Sequence, residues 1–269
     1  MERCFYINLD SRPDRRKQME GELRKAGIAD ITTRVAALTP THPEVATIAQ
    51  EFPGKSAGYH ANAASHAEVW KLIAADPDEN AMTLIMEDDV VLHTQWKSLL
   101  QAALSSIYSN GRGPSSSDSC SAGIRANGRA TEAESIDERQ PPQLDCLLLD
   151  GLYVTGEISA EYGWLGPPSE GPHRAECVAF SSAYMLTPAA ARWLVSRRSE
   201  RPGSSTEAYL MQLQEERGAS WTHLPRLALQ RWDELASSVA GSGGASNMRK
   251  WYEDNYFVRF PWTLYCDHE

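Results

Sequence analysis

The amino-terminal part of the chain alternates apolar runs with segments whose apolar residues recur at helical spacing. Residues 3–9 form a short apolar run, and residues 14–26 then carry apolar side chains about one helical turn apart. Pro13 suits the first position of a helix, and Gly27 is a natural helix end. A strand, a turn and a helix in this order predict the opening half of a βαβ unit, and therefore an α/β fold.

The same patterns predict the elements of the rest of the chain. We expect strands at residues 31–38, 83–92, 144–149 and 177–186, a strand or an extended segment at 224–229, and helices at residues 61–75, 95–107, 187–196 and 206–218. Thr187 and Pro188 form a specific helix start, whereas Asn62 or Ser65 is the expected cap of the helix at 61–75. Residues 39–58 contain three prolines and predict a loop or a short helix.

Three consecutive carboxylates, Glu87, Asp88 and Asp89, interrupt the apolar run at residues 83–92. Carboxylates are rarely buried without a cation, and ligands of open α/β sheets bind at the carboxyl ends of strands. Hard oxygen ligands at such a position suit Mg²⁺ or Mn²⁺ together with a phosphate-bearing substrate. The alternative interpretation is a solvated acidic turn between two strands.

Other polar residues are candidates because of their positions at the ends of predicted strands. Asp150 ends the strand at 144–149, so it is a candidate neighbour of the acidic cluster or simply part of an Asp-Gly turn. The loop after the first strand carries two adjacent arginines, Arg15 and Arg16, at a helix start where cations oppose the macrodipole. They are either aimed at an anion or part of a solvated charged turn. His66 shares an apolar helix face, which is more typical of a buried structural histidine than of a ligand.

Composition narrows the class of protein. The 26 basic and 36 acidic residues give a formal net charge of −10, which argues against a general binder of nucleic acid or anionic membranes. Five scattered cysteines without a Cys-x-x-Cys pair predict neither a disulfide framework nor a zinc site, and suggest a reducing compartment. Residues 1–9 contain no apolar run of signal-peptide length, and no run has the length of a membrane span, so we expect a cytoplasmic protein unless the chain is a processed or excised domain.

Two segments differ in composition from the rest of the chain. Residues 109–142 have almost no aliphatic side chains, which predicts a disordered insertion within a single domain. Residues 247–269 form an aromatic tail with too many large rings to remain in solvent. We expect the tail to dock on the domain or on a partner, which includes a second copy of the chain.

Three motifs stand out together: the opening Tyr6-Ile7-Asn8-Leu9-Asp10-Ser11-Arg12-Pro13-Asp14-Arg15-Arg16, the pair Gly58-Tyr59 followed by Ser65-His66-Ala67-Glu68-Val69-Trp70, and the acidic Met86-Glu87-Asp88-Asp89-Val90. Together they resemble glycosyltransferase family 25, which includes bacterial lipooligosaccharide galactosyltransferases and collagen galactosyltransferases. Residues 182–194 and 225–238 resemble two later family segments. Two positions depart from the family, because Tyr59 replaces a cysteine and Glu207 replaces an aspartate.

The resemblance implies a GT-A glycosyltransferase fold, a Rossmann-like mixed sheet flanked by helices, in one domain spanning residues 1–269. It also implies an inverting transfer of galactose or glucose from a UDP-sugar to a hydroxyl of a glycan, lipid-linked or protein acceptor. Mn²⁺ or Mg²⁺ would be held by Asp89, assisted by Glu87 directly or through water, and would stabilise the departing diphosphate. The general base would be Glu207 or Asp150.

The resemblance further implies which residues contact the nucleotide or its phosphates. They are Asn8, Asp10, Arg12, Arg15, Ser65, His66 and Asp88. Two other function classes stay open at this point. One is a noncatalytic sugar- or nucleotide-binding relative, suggested by Tyr59 and Glu207. The other is a metal-dependent phosphohydrolase or nucleotidyltransferase, which the absence of a second clear acidic motif disfavours.

Overall fold

The computed structural model describes residues 3–110, 144–150, 158–159, 163–164, 171–174, 181–217, 220–224 and 227–230. Its strands are β1 Cys4–Asn8, β2 Thr32–Ala36, β3 Thr83–Glu87, β4 Val90–Leu92, β5 Cys146–Leu148, β6 Ile158–Ser159, β7 Gly163–Trp164, β8 Gly171–Arg174, β9 Ala183–Leu186, β10 Ser220–Leu224 and β11 Ala228–Gln230. Its helices are α1 Pro13–Lys25, α2 Pro43–Glu51, α3 Ala57–Ala74, α4 Trp96–Asn110, α5 Pro188–Glu200 and α6 Thr206–Arg217. The predicted insertion beyond residue 110 and the aromatic tail lie outside the described residues, as do residues 177–180 of the strand expected at 177–186.

The main sheet is mixed and has the strand order β2-β1-β3-β9-β5-β10-β8 in the described part of the chain. The strands β2, β1, β3, β5 and β10 run in one direction, whereas β9 and β8 run against them. This arrangement confirms the predicted α/β class, a mixed sheet flanked by helices. Because β1, β3 and β5 share a direction, their carboxyl ends lie along one edge of the sheet.

The central strand β3 is buried on both faces, which explains its continuous apolar sequence. Leu84 and Met86 pack on one face with residues of α1 and α4, such as Met19 and Trp96. Ile85 packs on the opposite face with residues of α3, α5 and α6. The sheet therefore lies between two helical layers. No helix in the described ranges is long and apolar enough to cross a membrane.

The helix ends match the sequence signals at α1 and α5 but not at α3. Gly27, just after α1, has a φ of 63°, a left-handed conformation that glycine adopts without strain. Thr187 accepts a hydrogen bond from the amide of Ala190 at 3.2 Å, as expected of an N-cap. The helix predicted at 61–75 begins instead at Ala57, and its cap is Ser56. The expected caps Asn62 and Ser65 were wrong, because both lie inside the helix and their side chains bind partners there.

The acidic segment is a turn between two strands rather than the end of one continuous strand. β3 ends at Glu87, Asp88 and Asp89 form the turn, and β4 pairs antiparallel with β11. The strand or extended segment expected at 224–229 includes the end of β10, which belongs to the main sheet, and the start of β11, which pairs with β4. The turn is not solvated, however, since Asp88 is 7% exposed and Asp89 is 5% exposed.

Candidate functional site

A cavity of about 280 Å³ opens at the edge of the sheet where β1 and β3 end. Elements from across the sequence form its wall, including the start of α1, the polar side of α3 and the first turn of α6. Its charged lining consists of Arg15, Glu87, Asp88, Asp89 and Glu207. Among the described residues, four carboxylates and a single guanidinium therefore line one small cavity.

Arg15 from the first turn of α1 is paired with both aspartates of the turn. Its Nη1 lies 2.9 Å from Asp88 Oδ1 and 3.1 Å from Asp89 Oδ2. Asp88 also accepts a hydrogen bond from the amide of Asn8, at the end of β1, at 2.6 Å. The arginine that opposes the α1 macrodipole is thus aimed at carboxylates of the protein itself, and it is only 4% exposed.

One arginine does not compensate the negative charge of this turn. Burial and the neighbouring Glu87 raise the pKa of Asp89 to about 7, although Arg15 and the Gln230 amide act in the opposite direction. Burial likewise raises the pKa of Asp88. An ionised Asp89 in this position lacks part of the positive charge that a buried carboxylate needs.

Glu87 is held from the side by α3. Its Oε1 accepts hydrogen bonds from Asn62 Nδ2 at 2.9 Å and from His66 Nε2 at 3.1 Å. Burial by itself raises the pKa of Glu87, but the His66 contact and the Asn62 hydrogen bond outweigh it and leave the pKa below its ordinary value. The pKa values of Glu87 and Asp89 are therefore shifted in opposite directions although the two residues are only two positions apart.

Asp88 and Asp89 are the residues of this site that could hold a divalent cation together with a phosphate ligand. Within the described residues, no group of three His, Cys, Asp or Glu side chains is arranged to hold a metal ion. The oxygens of Asp88 and Asp89 nevertheless converge on a single cationic nitrogen, and the turn carries surplus negative charge. Mg²⁺ and similar hard cations are commonly bound through one or two carboxylates, with substrate phosphates and water completing the shell.

The two candidate bases lie in different environments. Glu207, in the first turn of α6, lines the cavity, and its Oε1 accepts a hydrogen bond from Ser181 Oγ at 3.0 Å. Asp150 follows β5 at the same sheet edge but is 2% exposed and accepts a hydrogen bond from Ser182 Oγ. It is not among the residues that line the cavity, because β9 runs between β3 and β5. The geometry favours Glu207.

The structure divides the predicted nucleotide contacts into two groups. Asn8, Arg15, Ser65 and Asp88 line the cavity. Asp10, Arg12 and His66 do not: Asp10 pairs with Arg34, Arg12 pairs with Asp14, and His66 is fully buried behind Glu87. The role of both groups in nucleotide binding stays a prediction.

Sequence reasoning missed several polar groups that complete the site. Asn62 was considered only as a helix cap, although its spacing of four from His66 places both side chains on one helix face. Gln230, which donates to Asp89 at 3.3 Å, comes from β11; it lies in one of the segments that resemble the family but was assigned no role. Tyr184 lies within an apolar strand and was assigned no role.

The amino-terminal part of the chain matches a known protein family. A comparison with curated proteins gave no significant match. The match to a family covers residues 1–112, which include β1, α1, α3 and the acidic turn. It supports a glycosyltransferase role, and such a role implies a sugar donor and an acceptor. Over these residues the chain matches glycosyltransferase family 25, described as an LPS biosynthesis protein, and the resemblance inferred from the three motifs between residues 6 and 90 is confirmed.

Proposed function

We propose that the protein is an inverting, metal-dependent glycosyltransferase that moves a hexose, galactose or glucose, from a UDP-sugar to an acceptor hydroxyl. The observation that carries the proposal is the cavity at the carboxyl edge of the sheet, where the acidic turn and Glu207 face one another. The family match supports the reaction class. The donor, the metal and the stereochemistry are part of the proposal.

Asp89 would hold Mn²⁺ or Mg²⁺, assisted by Glu87 directly or through water. When bound, the cation supplies Lewis-acid stabilisation of the charge that develops on the departing diphosphate. The raised pKa of Asp89 supports this assignment, because a carboxyl short of positive charge gains most from a cation. Asn8 holds Asp88 in place at 2.6 Å, which fixes the turn that carries Asp89.

Arg15 adds positive charge beside the same position. It lines the cavity while paired with Asp88 and Asp89, so it can orient the diphosphate without leaving Asp88. A guanidinium is suited to this task because its fork of donors matches phosphate oxygens. Burial strengthens the interaction, since water screens it less than at the surface.

Glu207 is the proposed general base. The acceptor oxygen attacks the anomeric carbon as the bond to UDP breaks, and Glu207 takes the hydroxyl proton. Ser181 fixes the Oε1 atom of Glu207, which leaves Oε2 for the proton. Attack on the face opposite the leaving group inverts the anomeric centre.

The proposal is tested with a panel of nucleotide sugars incubated with the full chain and Mn²⁺. We expect slow hydrolysis of at least one UDP-hexose and a rise in melting temperature, both lost in Asp89→Asn and retained in the control Asp30→Asn, which changes an exposed carboxylate. Thermal stabilisation without hydrolysis would favour the noncatalytic relative. If no donor gave either effect, the assignment of the protein as an enzyme would be overturned.

A further inference from the structure

Three fully buried rings lie behind the carboxylate of Glu87. Trp70 and His66 come from α3 and Tyr184 from β9, and each has an exposed fraction of 0%. Trp70 Nε1 lies 2.9 Å from the Tyr184 hydroxyl, and that hydroxyl lies 2.8 Å from His66 Nδ1. His66 Nε2 in turn lies 3.1 Å from Glu87 Oε1. These groups form a continuous hydrogen-bond chain that ends at the cavity.

The direction of this hydrogen-bond chain follows from its fixed donor. An indole N–H can only donate, so the Tyr184 oxygen accepts from Trp70. The hydroxyl has one hydrogen, and in the described part of the structure the only other partner of this oxygen is His66 Nδ1. A buried hydroxyl hydrogen needs an acceptor. His66 Nδ1 therefore accepts, and the hydrogen of the neutral ring is on Nε2, facing Glu87.

Glu87 is consequently held through one oxygen. Its Oε1 receives N–H groups from Asn62 and His66, which lie one turn apart on α3. The amide of Asn62 cannot turn over freely, because Thr206 Oγ1 donates to its Oδ1 at 3.2 Å. Oε2 of Glu87 has no protein partner among the described residues, and Glu87 lines the cavity.

We propose that Tyr184 is a positioning residue that fixes His66 as the Nε2–H tautomer, so that Glu87 is held by Oε1 and presents Oε2 to the ligand in the cavity. The effect on ligand binding rests on the proposed function of this site. The tautomer of His66 does not, because it follows from the hydrogen bonds of the protein alone. Side chains that orient a ligating group typically change metal affinity or activity by about 10- to 100-fold when they are removed.

The first test measures the tautomer in the ligand-free protein. Nitrogen-15 NMR of labelled imidazoles, with His66 assigned by the loss of its signals in His66→Gln, reports which ring nitrogen carries hydrogen. We expect hydrogen on Nε2 and an unprotonated Nδ1 whose resonance shows a hydrogen bond. Hydrogen on Nδ1 alone would overturn the proposal, whatever the protein binds.

The second test compares two buried tyrosines that both lie close to Trp70. Tyr184→Phe removes the hydroxyl at His66, whereas Tyr209→Phe removes a hydroxyl that donates to the backbone carbonyl of Arg201. Tyr209 is also 0% exposed, and its ring packs edge-on against Trp70 with centroids 5.8 Å apart. The two variants therefore match in burial and in the atom removed.

We expect Tyr184→Phe to shift the Nδ1 resonance of His66 and to weaken Mn²⁺ binding in the presence of UDP by about 10- to 100-fold, measured by calorimetry. Tyr209→Phe should leave both readouts at their wild-type values. A wild-type His66 resonance in Tyr184→Phe, or an equal loss in both variants, would overturn the proposal. If the wild-type protein bound no UDP with Mn²⁺, the proposed function would fail, and the Nδ1 shift would still decide whether Tyr184 orients His66.

Discussion

The central feature at the residue scale is an acidic turn that its own arginine only partly neutralises. Glu87 keeps a low pKa because two N–H groups of α3 contact it, whereas Asp89 has a raised pKa because it is buried beside Glu87. Neighbouring carboxylates with opposite shifts are typical of functional sites, where environment assigns different roles to chemically similar groups. The consequence is a conflict between stability and the proposed role in cation binding at Asp89.

Asp89→Asn should stabilise the ligand-free protein at pH 8 by about 1–3 kcal/mol. The folded pKa of Asp89 is about 7 and the ordinary value is 3.8, so between these values the folded state holds more protons than the unfolded state. The free energy of unfolding of the wild type therefore falls as pH rises through that window. Asparagine does not ionise, so the variant does not lose this part of its unfolding free energy as pH rises.

The measurement is urea unfolding of both proteins, with a chelator present, at pH 5 and pH 8. The advantage of the variant should be smaller at pH 5, where wild-type Asp89 is largely protonated. A variant less stable than the wild type at pH 8, or a difference that does not depend on pH, would show that Asp89 carries no such cost.

Glu207→Gln should reduce sugar transfer by about 10²- to 10⁴-fold, the usual contribution of a general base. Binding of the donor and the cation should stay within about twofold, because the amide keeps the size of the side chain. Glu216→Gln, on the same helix, is the matched control, since Glu216 is a surface residue paired with Arg197. Rates from acceptor-dependent UDP release decide the question, and unchanged transfer in Glu207→Gln would move the role of base to another residue.

At this scale the sequence predicted residue types better than their partners. Glu87, Asp88 and Asp89 were recognisable because carboxylates interrupt an apolar run. The pairing of Arg15 with both aspartates could not be predicted, since it depends on how α1 packs beside β3. The proposed positioning role of Tyr184 could not be predicted either, because a tyrosine in an apolar strand normally contributes only packing and one hydrogen bond.

At the scale of elements, the best predictions came from helix-end chemistry. Thr187 with Pro188, and Gly27, were assigned their positions from residue type alone, and the structure confirms both. The start of α3 was predicted wrongly. Asn62 and Ser65 are residue types that often cap helices, but here they lie inside α3 and form hydrogen bonds with groups of other elements. Ser65 accepts from the Leu38 amide at 2.8 Å, a contact between elements that local sequence does not encode.

Thr187→Ala should lower the free energy of unfolding by about 1 kcal/mol, because the hydroxyl that satisfies the Ala190 amide is lost. Thr187→Ser keeps the hydroxyl and should lose less than half of that amount. Urea unfolding curves of the three proteins provide the comparison. Equal losses in the serine and alanine variants would show that packing of the threonine methyl group, rather than capping, stabilises the start of α5.

At the scale of the molecule, the topology brings the candidate site together. β1 and β3 are parallel neighbours, so Asn8 and Glu87 end at one sheet edge, and the cavity lies there. The α/β class and this location were predictable from strand and helix patterns. The position of β9 between β3 and β5 was not, because the pairing of distant strands leaves no local pattern. That strand separates Asp150 from the acidic turn.

We expect a nucleotide site whose affinity depends on a divalent cation at Asp89. The most direct measurement is calorimetric titration of the full chain with UDP, with Mn²⁺ and then with excess chelator. We expect the wild type to bind UDP with Mn²⁺ and to lose at least about tenfold in UDP affinity with chelator. Asp89→Asn should show this weaker affinity both with Mn²⁺ and with chelator. UDP binding of equal affinity with and without Mn²⁺, or unchanged binding in Asp89→Asn, would contradict the assignment of the acidic turn as a metal site.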